Sequence, residues 1–100
     1  MSAKDFFDSL ESRADESKLA GMSNSYLFDI EGEGQWLVDV RDGKLTVSEG
    51  GGDADATITT SPDTFEKIVA GEQNATTAYM TGKLKIKGDM GAAMKLQKLF

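Results

Sequence analysis

Catalysis needs nucleophiles, bases or metal ligands, and this chain is poor in all three. It contains no His and no Cys. That removes histidine acid–base chemistry, thiol nucleophiles, disulfides and Cys/His metal sites. The carboxylates fall mainly opposite apolar strand positions or on outer helix faces, where they stay wet, whereas acid–base pairs need a partly desolvated cleft. The Ser and Thr residues have no His partner, and no motif suggests a Ser–Lys arrangement. Gly50-Gly51-Gly52 is followed by neither Gly-Lys-Ser/Thr nor a helix start, so it reads as a flexible loop and not a phosphate loop. No catalytic arrangement, metal site or cofactor is expected.

The stretch with the most to offer is Ala78 to Leu99. Lys83, Lys85 and Lys87 alternate with Leu84 and Ile86, giving a strand with one charged and one apolar face. The lysines read either as a solvated face balancing Asp29, Glu31, Asp39 and Asp55, or as a stripe for phosphate. Met80, Met90 and Met94 are soft, polarizable side chains gathered in the C-terminal third. Gly91-Ala92-Ala93 keeps the last helix thin near its start, which permits tight packing or a gap. Asp89 caps that helix, and Lys95 and Lys98 sit toward its negative end. Met90, Ala93, Met94, Leu96 and Phe100 span its apolar arc, with Gln97 inside it. A buried Gln amide needs partners, either nearby backbone or a polar ligand group.

The rest of the chain must position this unit. Ser2 is a plausible cap for a helix of about three turns, with Ala3, Phe6, Phe7, Leu10 and Ala14 on one face. That helix docks on a sheet, or serves as a lid or membrane-touching element, although its acidic outer face opposes anionic lipid. Residues 15–24 form a polar loop with a short helix around Lys18, Leu19 and Met22 tucking inward. Two alternating runs, Ser25 to Glu31 and Gln35 to Arg41, flank Gly32-Glu33-Gly34 as a hairpin. Asp42-Gly43 turns into a third run, Lys44 to Ser48, and Ala54 to Thr59 gives a fourth. The expectation is an antiparallel meander with one greasy and one wet face. Ser61-Pro62-Asp63 opens a helix with Phe65, Ile68 and Val69 on its apolar face, ended by Gly71. Asn74 caps a short helix carrying Ala75, Ala78, Tyr79 and Met80. The lysine strand then rejoins the sheet by a helical crossover, which permits parallel pairing. The predicted fold is α+β, a mixed sheet with helices on one face only.

At 100 residues the chain is expected to form one domain over residues 1–100, burying roughly 60–70% of its unfolded surface. Its 39% hydrophobic and 28% charged residues are ordinary for a folded globular protein. A net charge of −6 argues against nucleic acid and against nonspecific attraction to anionic membrane, while leaving room for a local basic patch. No signal sequence or span of transmembrane length is visible, so a cytoplasmic location is expected. The terminal Gln-Lys-Leu-Phe is not a Ser-Lys-Leu-type peroxisomal address.

Several segments, in order, resemble one family. They are Trp36-Leu-Val-Asp-Val-Arg-Asp-Gly-Lys, Ala54-Asp-Ala-Thr-Ile-Thr-Thr, Phe65 through Gly71, and Ala78 through Gln97 with its Gly-Lys-Leu-Lys-Ile-Lys-Gly-Asp-Met run. Together they are similar to the sterol carrier protein 2 (SCP-2, nonspecific lipid-transfer protein) domain over nearly the whole chain. The resemblance implies a five-stranded mixed, mostly antiparallel sheet with helices packed on one face. It also implies a hydrophobic tunnel for fatty acids, acyl-CoA, sterol or phospholipid. Carried onto matching positions, it implies lipid contacts from Phe65, Ile68, Val69, Tyr79, Met80, Leu84, Ile86, Met94 and Gln97, with Tyr79, Met80, Met94 and Gln97 on the inner side. Where eukaryotic members resemble Phe-Phe-Gln-Gly, this chain has Tyr79-Met80-Thr81-Gly82. The polar contact of that Gln would fall to the Tyr79 hydroxyl or Thr81. The missing peroxisomal tail fits a free bacterial or archaeal-type domain.

The expected function is noncatalytic lipid binding and transfer by a monomer or weak dimer, with transient membrane contact and no nucleic-acid partner. The alternative is an accessory interaction or dimerisation domain with a filled core. An enzyme acting on acyl thioesters is a third class, which lacks a placed nucleophile or base.

Overall fold

The computed structural model describes residues 3–13 and 16–95, without the side chains of Arg13, Glu16, Lys18 and Met94. The chain begins with α1 (Ala3–Arg13), whose Ala3, Phe6, Phe7 and Leu10 are all buried at the spacing of one helical face. Lys4 and Asp8 pair across its exposed side at 2.9 Å. A single turn, α2 (Glu16–Leu19), follows, and Leu19 and Met22 both face the core.

Three strands come next: β1 (Ser23–Ile30), β2 (Gly34–Arg41) and β3 (Lys44–Glu49). Each antiparallel pair follows from its turn chemistry. At the β2–β3 turn Asp42 and Gly43 both have positive φ, 51° and 79°, the conformation that a two-residue hairpin loop requires. Along β1 the inner residues Tyr26, Phe28 and Ile30 are buried and the outer ones half-buried, the period-2 pattern of a sheet covered on one face.

The fourth strand, β4 (Ala56–Thr60), departs from the predicted meander. It pairs parallel to β1, with Tyr26 opposite Ala56 and Ile30 opposite Thr60. The physical reason lies at the far edge. The outward N–H of Val47 on β3 is taken by the Glu11 carboxylate of α1 at 2.6 Å, so that edge is already covered. The chain instead crosses back through Gly50–Gly52 to the free edge of β1. Ser25 and Asp55 fasten the new pair reciprocally: Ser25 N–H donates to Asp55 Oδ2 and Asp55 N–H to Ser25 Oγ, each at 3.0 Å.

Two helices follow, α3 (Pro62–Val69) and α4 (Ala75–Met80), before β5 (Leu84–Gly88) and α5 (Met90–Met94). The sheet order is β3-β2-β1-β4-β5. The sheet is mixed as expected, but its parallel pair is β1–β4; β5 runs antiparallel to β4. A single crossover helix would deliver the chain to the opposite end of the sheet. Here α3 and α4 bring it back to the end it left, where the Thr60 hydroxyl donates to the Lys83 carbonyl at 2.9 Å. At the other end β5 lies so close to β4 that a Cβ on Gly88 would collide with the Asp55 carbonyl oxygen. Only glycine fits there.

The inner face divides into two unlike halves. Under α1 and α3 it is aromatic. Phe7 is sandwiched between Trp36 (centroids 4.9 Å, 16° between planes) and Phe65 (5.4 Å, 23°), with Phe6 edge-on at 5.2 Å. Each such pair contributes about 0.5–1.5 kcal/mol beyond its buried area. Toward β4 and β5 five alanines, Ala56, Ala75, Ala78, Ala92 and Ala93, are buried beside Ile58, Leu84 and Tyr26.

Candidate functional site: the small-residue half of the interior

Three capped helix starts set which side chains face this half. Ser61 Oγ accepts from Thr64 N–H at 3.3 Å at the head of α3, turning Phe65 and Ile68 inward. Asn74 Oδ1 accepts from Thr76 and Thr77 N–H at 2.8 and 3.3 Å, which turns Ala75 and Ala78 of α4 inward. Asp89 Oδ1 accepts from Gly91 and Ala92 N–H at 2.8 and 3.3 Å, doing the same for Ala92 and Ala93 of α5. From the sheet, β4 contributes Ala56 and Ile58, and β5 contributes Leu84.

One polar group closes this half. Tyr26 is fully buried, and its hydroxyl donates to the Ala92 carbonyl at 2.6 Å, tying β1 to α5. Burial pushes the Tyr26 pKa up to about 12, with the nearby Asp55 and Asp89 carboxylates adding to the rise. The phenol is therefore neutral at any physiological pH and serves as a tether, not a base. A second polar atom on the same face, Asn24 Oδ1, is buried without a hydrogen-bond partner among the described residues.

Of the lipid contacts implied by the resemblance, the structure gathers some and separates others. Phe65, Ile68 and Leu84 are buried, and Val69 and Ile86 are half-buried against the same core. Phe65 belongs to the aromatic cluster. Tyr79 and Met80 differ from the expected inner orientation: they are 39% and 79% exposed. With Ala75 and Ala78 taking the inner side of a six-residue helix, Met80 falls on the outside. The Thr81 hydroxyl donates back to the Thr77 and Ala78 carbonyls at 3.0 and 3.2 Å, closing α4. The Met94 side chain and Gln97 lie outside the described residues, as do Leu96, Lys98 and Phe100.

Among the described residues, two open clefts lie elsewhere. One of about 230 Å³ sits between α1 and the β2–β3 pair, beside Phe7, Glu11 and Trp36. The other, about 590 Å³, is walled by Asp39, Arg41, Asp42, Lys44 and Thr46. Both are at the β3 side of the molecule, away from the alanines. Lys83, Lys85 and Lys87 are all exposed, with Lys85 opposite Thr59 and Lys87 opposite Thr57. Among the described residues, ion pairs join Lys4 to Asp8, Arg41 to Asp39 and Lys67 to Asp63; none of these neutralises the three lysines. The alternation of the run Ser25 to Glu31 does not reveal the Tyr26 hydrogen bond, which joins residues 66 positions apart.

This arrangement defines a class: an α+β domain whose sheet carries all its helices on one face, over an apolar interior with one closed aromatic half and one half walled by small residues. The chain belongs to the SCP-2 sterol transfer family, which it matches over residues 4–100. It is 39% identical over 97 residues to hydroxysteroid dehydrogenase-like protein 2 of Xenopus tropicalis, a match covering 93% of this chain and 23% of that relative. It is 46% identical over 68 residues to human sterol carrier protein 2, covering 67% of this chain and 12% of that protein. The chain thus spans less than a quarter of the length of these curated relatives. Among solved structures, the sterol carrier protein domain 2 of Helicoverpa armigera superposes with a TM-score of 0.75 at 31% identity, covering 95% of this chain and 82% of that one. Among the described residues, no helix is long and apolar enough to cross a membrane.

Proposed function

We propose that this chain binds a lipid noncatalytically in its apolar interior and carries it between surfaces in the cytoplasm. The ligand classes are fatty acid, acyl-CoA, sterol or phospholipid. The observation that carries the reading, alongside family membership, is the division of the inner face. Aromatic rings fill the α1–α3 half, whereas Ala56, Ala75, Ala78, Ala92 and Ala93 wall the other half with the least side-chain volume available to a helix or strand. An acyl chain or sterol ring entering there exchanges water for aliphatic contact, worth about 25 cal/mol per Å² of apolar area before binding costs.

On this reading Ile68, Val69, Leu84 and Ile86 touch the ligand and Phe65 closes the end of the space against the aromatic cluster. Tyr79 and Met80 stand at its mouth, and Met94 and Gln97 are further ligand contacts that the family resemblance implies. The test is delipidation, then titration with a fluorescent fatty acid, with native mass spectrometry of freshly purified protein in parallel. Saturable binding near one ligand per chain is the expected result. No saturation, no co-purified lipid and no thermal shift with any lipid class would refute it. A filled, ligand-free interior is what the alternative of an accessory interaction domain predicts. The same measurements separate the two.

A further inference from the structure

We infer that the β5 edge is a docking surface for an anionic lipid bilayer, delivering the mouth of the interior to the membrane; this rests on the lipid-carrying reading above. Three large apolar side chains are exposed among the described residues, Tyr79 (39%), Met80 (79%) and Met90 (41%), and all three flank β5. Tyr79 and Met80 end α4, which turns directly into β5 through the Lys83 N–H bond to the Ala78 carbonyl at 2.9 Å. Met90 opens α5 two residues after β5 ends. The same strand carries Lys85 and Lys87, and Lys83 immediately precedes it. They place three of the chain's 11 basic residues within five positions, in a molecule of net charge −6. At about 3.3 Å per residue these ammonium groups are strung along roughly 13 Å, comparable to the Debye length of about 10 Å at ~0.1 M salt.

Apolar side chains bordered by lysine are what a bilayer interface recruits: the methionines and the tyrosine ring enter the headgroup boundary while the lysines meet anionic headgroups. The acidic remainder is repelled by the same surface, which orients the molecule with the β5 edge down. Among the described residues no ion pair reaches the three lysines: Asp89 accepts the capping bonds of α5, Asp55 accepts from Ser25 N–H, and Asp29 stands two strands away from Lys85 across Thr59. A second copy of the chain fits the edge poorly, because antiparallel β5–β5 pairing sets lysine against lysine.

The experiment is flotation with phosphatidylcholine vesicles, with and without phosphatidylserine. It compares the wild-type chain with the combined Lys83→Gln, Lys85→Gln, Lys87→Gln variant and with the Met90→Ser variant. Saturable binding of a soluble fluorescent fatty acid is measured on each protein. Wild type should bind only the phosphatidylserine vesicles. Partitioning should fall by about fivefold per lysine, on the order of 100-fold for all three, and up to about tenfold for Met90→Ser. Raising salt from ~0.1 M to ~1 M should abolish it, as the screening length shrinks from about 10 Å to about 3 Å. Fatty-acid binding by the lysine variant should be unchanged. Equal flotation of wild type and the lysine variant, flotation indifferent to phosphatidylserine, or no flotation of wild type each overturns the docking surface. Failure of wild type to saturate with fatty acid refutes the lipid-carrying reading separately, whatever the vesicles show.

Discussion

Tyr26→Phe removes a single oxygen from a fully buried position, and its consequence reverses sign with pH. The hydroxyl donates to Ala92 at 2.6 Å, and that carbonyl also accepts from Lys95 N–H at 3.0 Å, so the substitution loses one hydrogen bond without orphaning its acceptor. The expected loss at neutral pH is about 1 kcal/mol, or a fall in Tm of roughly 4–8 °C for a domain of this size. Alkali changes the balance. A tyrosine is charged only when deprotonated, and the pKa here rises from 10.0 to about 12 on folding. The stabilising contribution is therefore complete below the unfolded value and is lost as pH climbs through the folded one. Holding the buried phenol neutral over that range is worth on the order of 2–3 kcal/mol. The phenylalanine variant escapes that loss, so the two stability curves should cross near about pH 11. The assay is urea unfolding of both proteins at intervals from neutral pH to about pH 12, read as the difference between them, which cancels the lysine titrations they share. Parallel curves would refute both the hydrogen bond and the burial of the phenol. Hydrogen exchange should localise the loosening at neutral pH to α5.

Phe7→Ala removes the ring sandwiched between Trp36 and Phe65. The expected cost of about 3–5 kcal/mol is large enough that the urea transition should broaden or vanish; a loss below about 1 kcal/mol contradicts the stacked geometry. Gly88→Ala should destabilise well beyond Gly32→Ala in the same assay. Both glycines have positive φ, but a Cβ at position 88 collides with the Asp55 carbonyl oxygen, whereas one at position 32 meets nothing within 4 Å among the described residues. Glu11→Ala uncovers the Val47 N–H on the edge strand β3. A loss of about 0.5–1.5 kcal/mol is expected, together with concentration-dependent self-association on size-exclusion chromatography.

Local features are legible in the sequence because their causes are local. Ser61, Asn74 and Asp89 cap helices with their own side chains over two or three residues, and Asp42-Gly43 makes its turn from backbone conformation alone. Leu19 and Met22 go inward as their hydrophobicity dictates. Strand partnership is not legible in the same way. Whether the fourth run lies beside β3 or beside β1 depends on which edge is free, and the β3 edge is engaged by a carboxylate 36 positions from the amide it covers. The direction of β5 depends on two helices making a return path, which hydrophobic periodicity does not encode. The family resemblance puts Tyr79 and Met80 inward, yet in a helix of six residues two alanines set the phase and the larger side chains take the outside. The ligand-facing residues resist sequence reading for a further reason: core and cavity share one apolar face, and only packing distinguishes a side chain that touches another from one that touches a lipid.

The two halves of the interior also divide stability from access. The aromatic half joins α1 and α3 to β1 and β2 through large rings, and its loss threatens the whole fold. Among the described residues, α4 and α5 are held by their caps, by backbone bonds that include Asp89 N–H to the Asp55 carbonyl at 2.7 Å, and by the Tyr26 tether. Opening α5 breaks the Tyr26–Ala92 bond, about 1 kcal/mol, and uncovers Ala92 and Ala93 while leaving the aromatic cluster in place. Local opening at that scale is populated at room temperature without global unfolding. On the lipid-carrying reading, ligand exchange therefore follows the opening of α5, and Tyr26→Phe should speed fatty-acid release several-fold while Phe7→Ala, at any temperature where it stays folded, should not. Release rates in stopped-flow displacement that track global stability, with both variants faster in proportion to their destabilisation, would show that the interior opens only by unfolding.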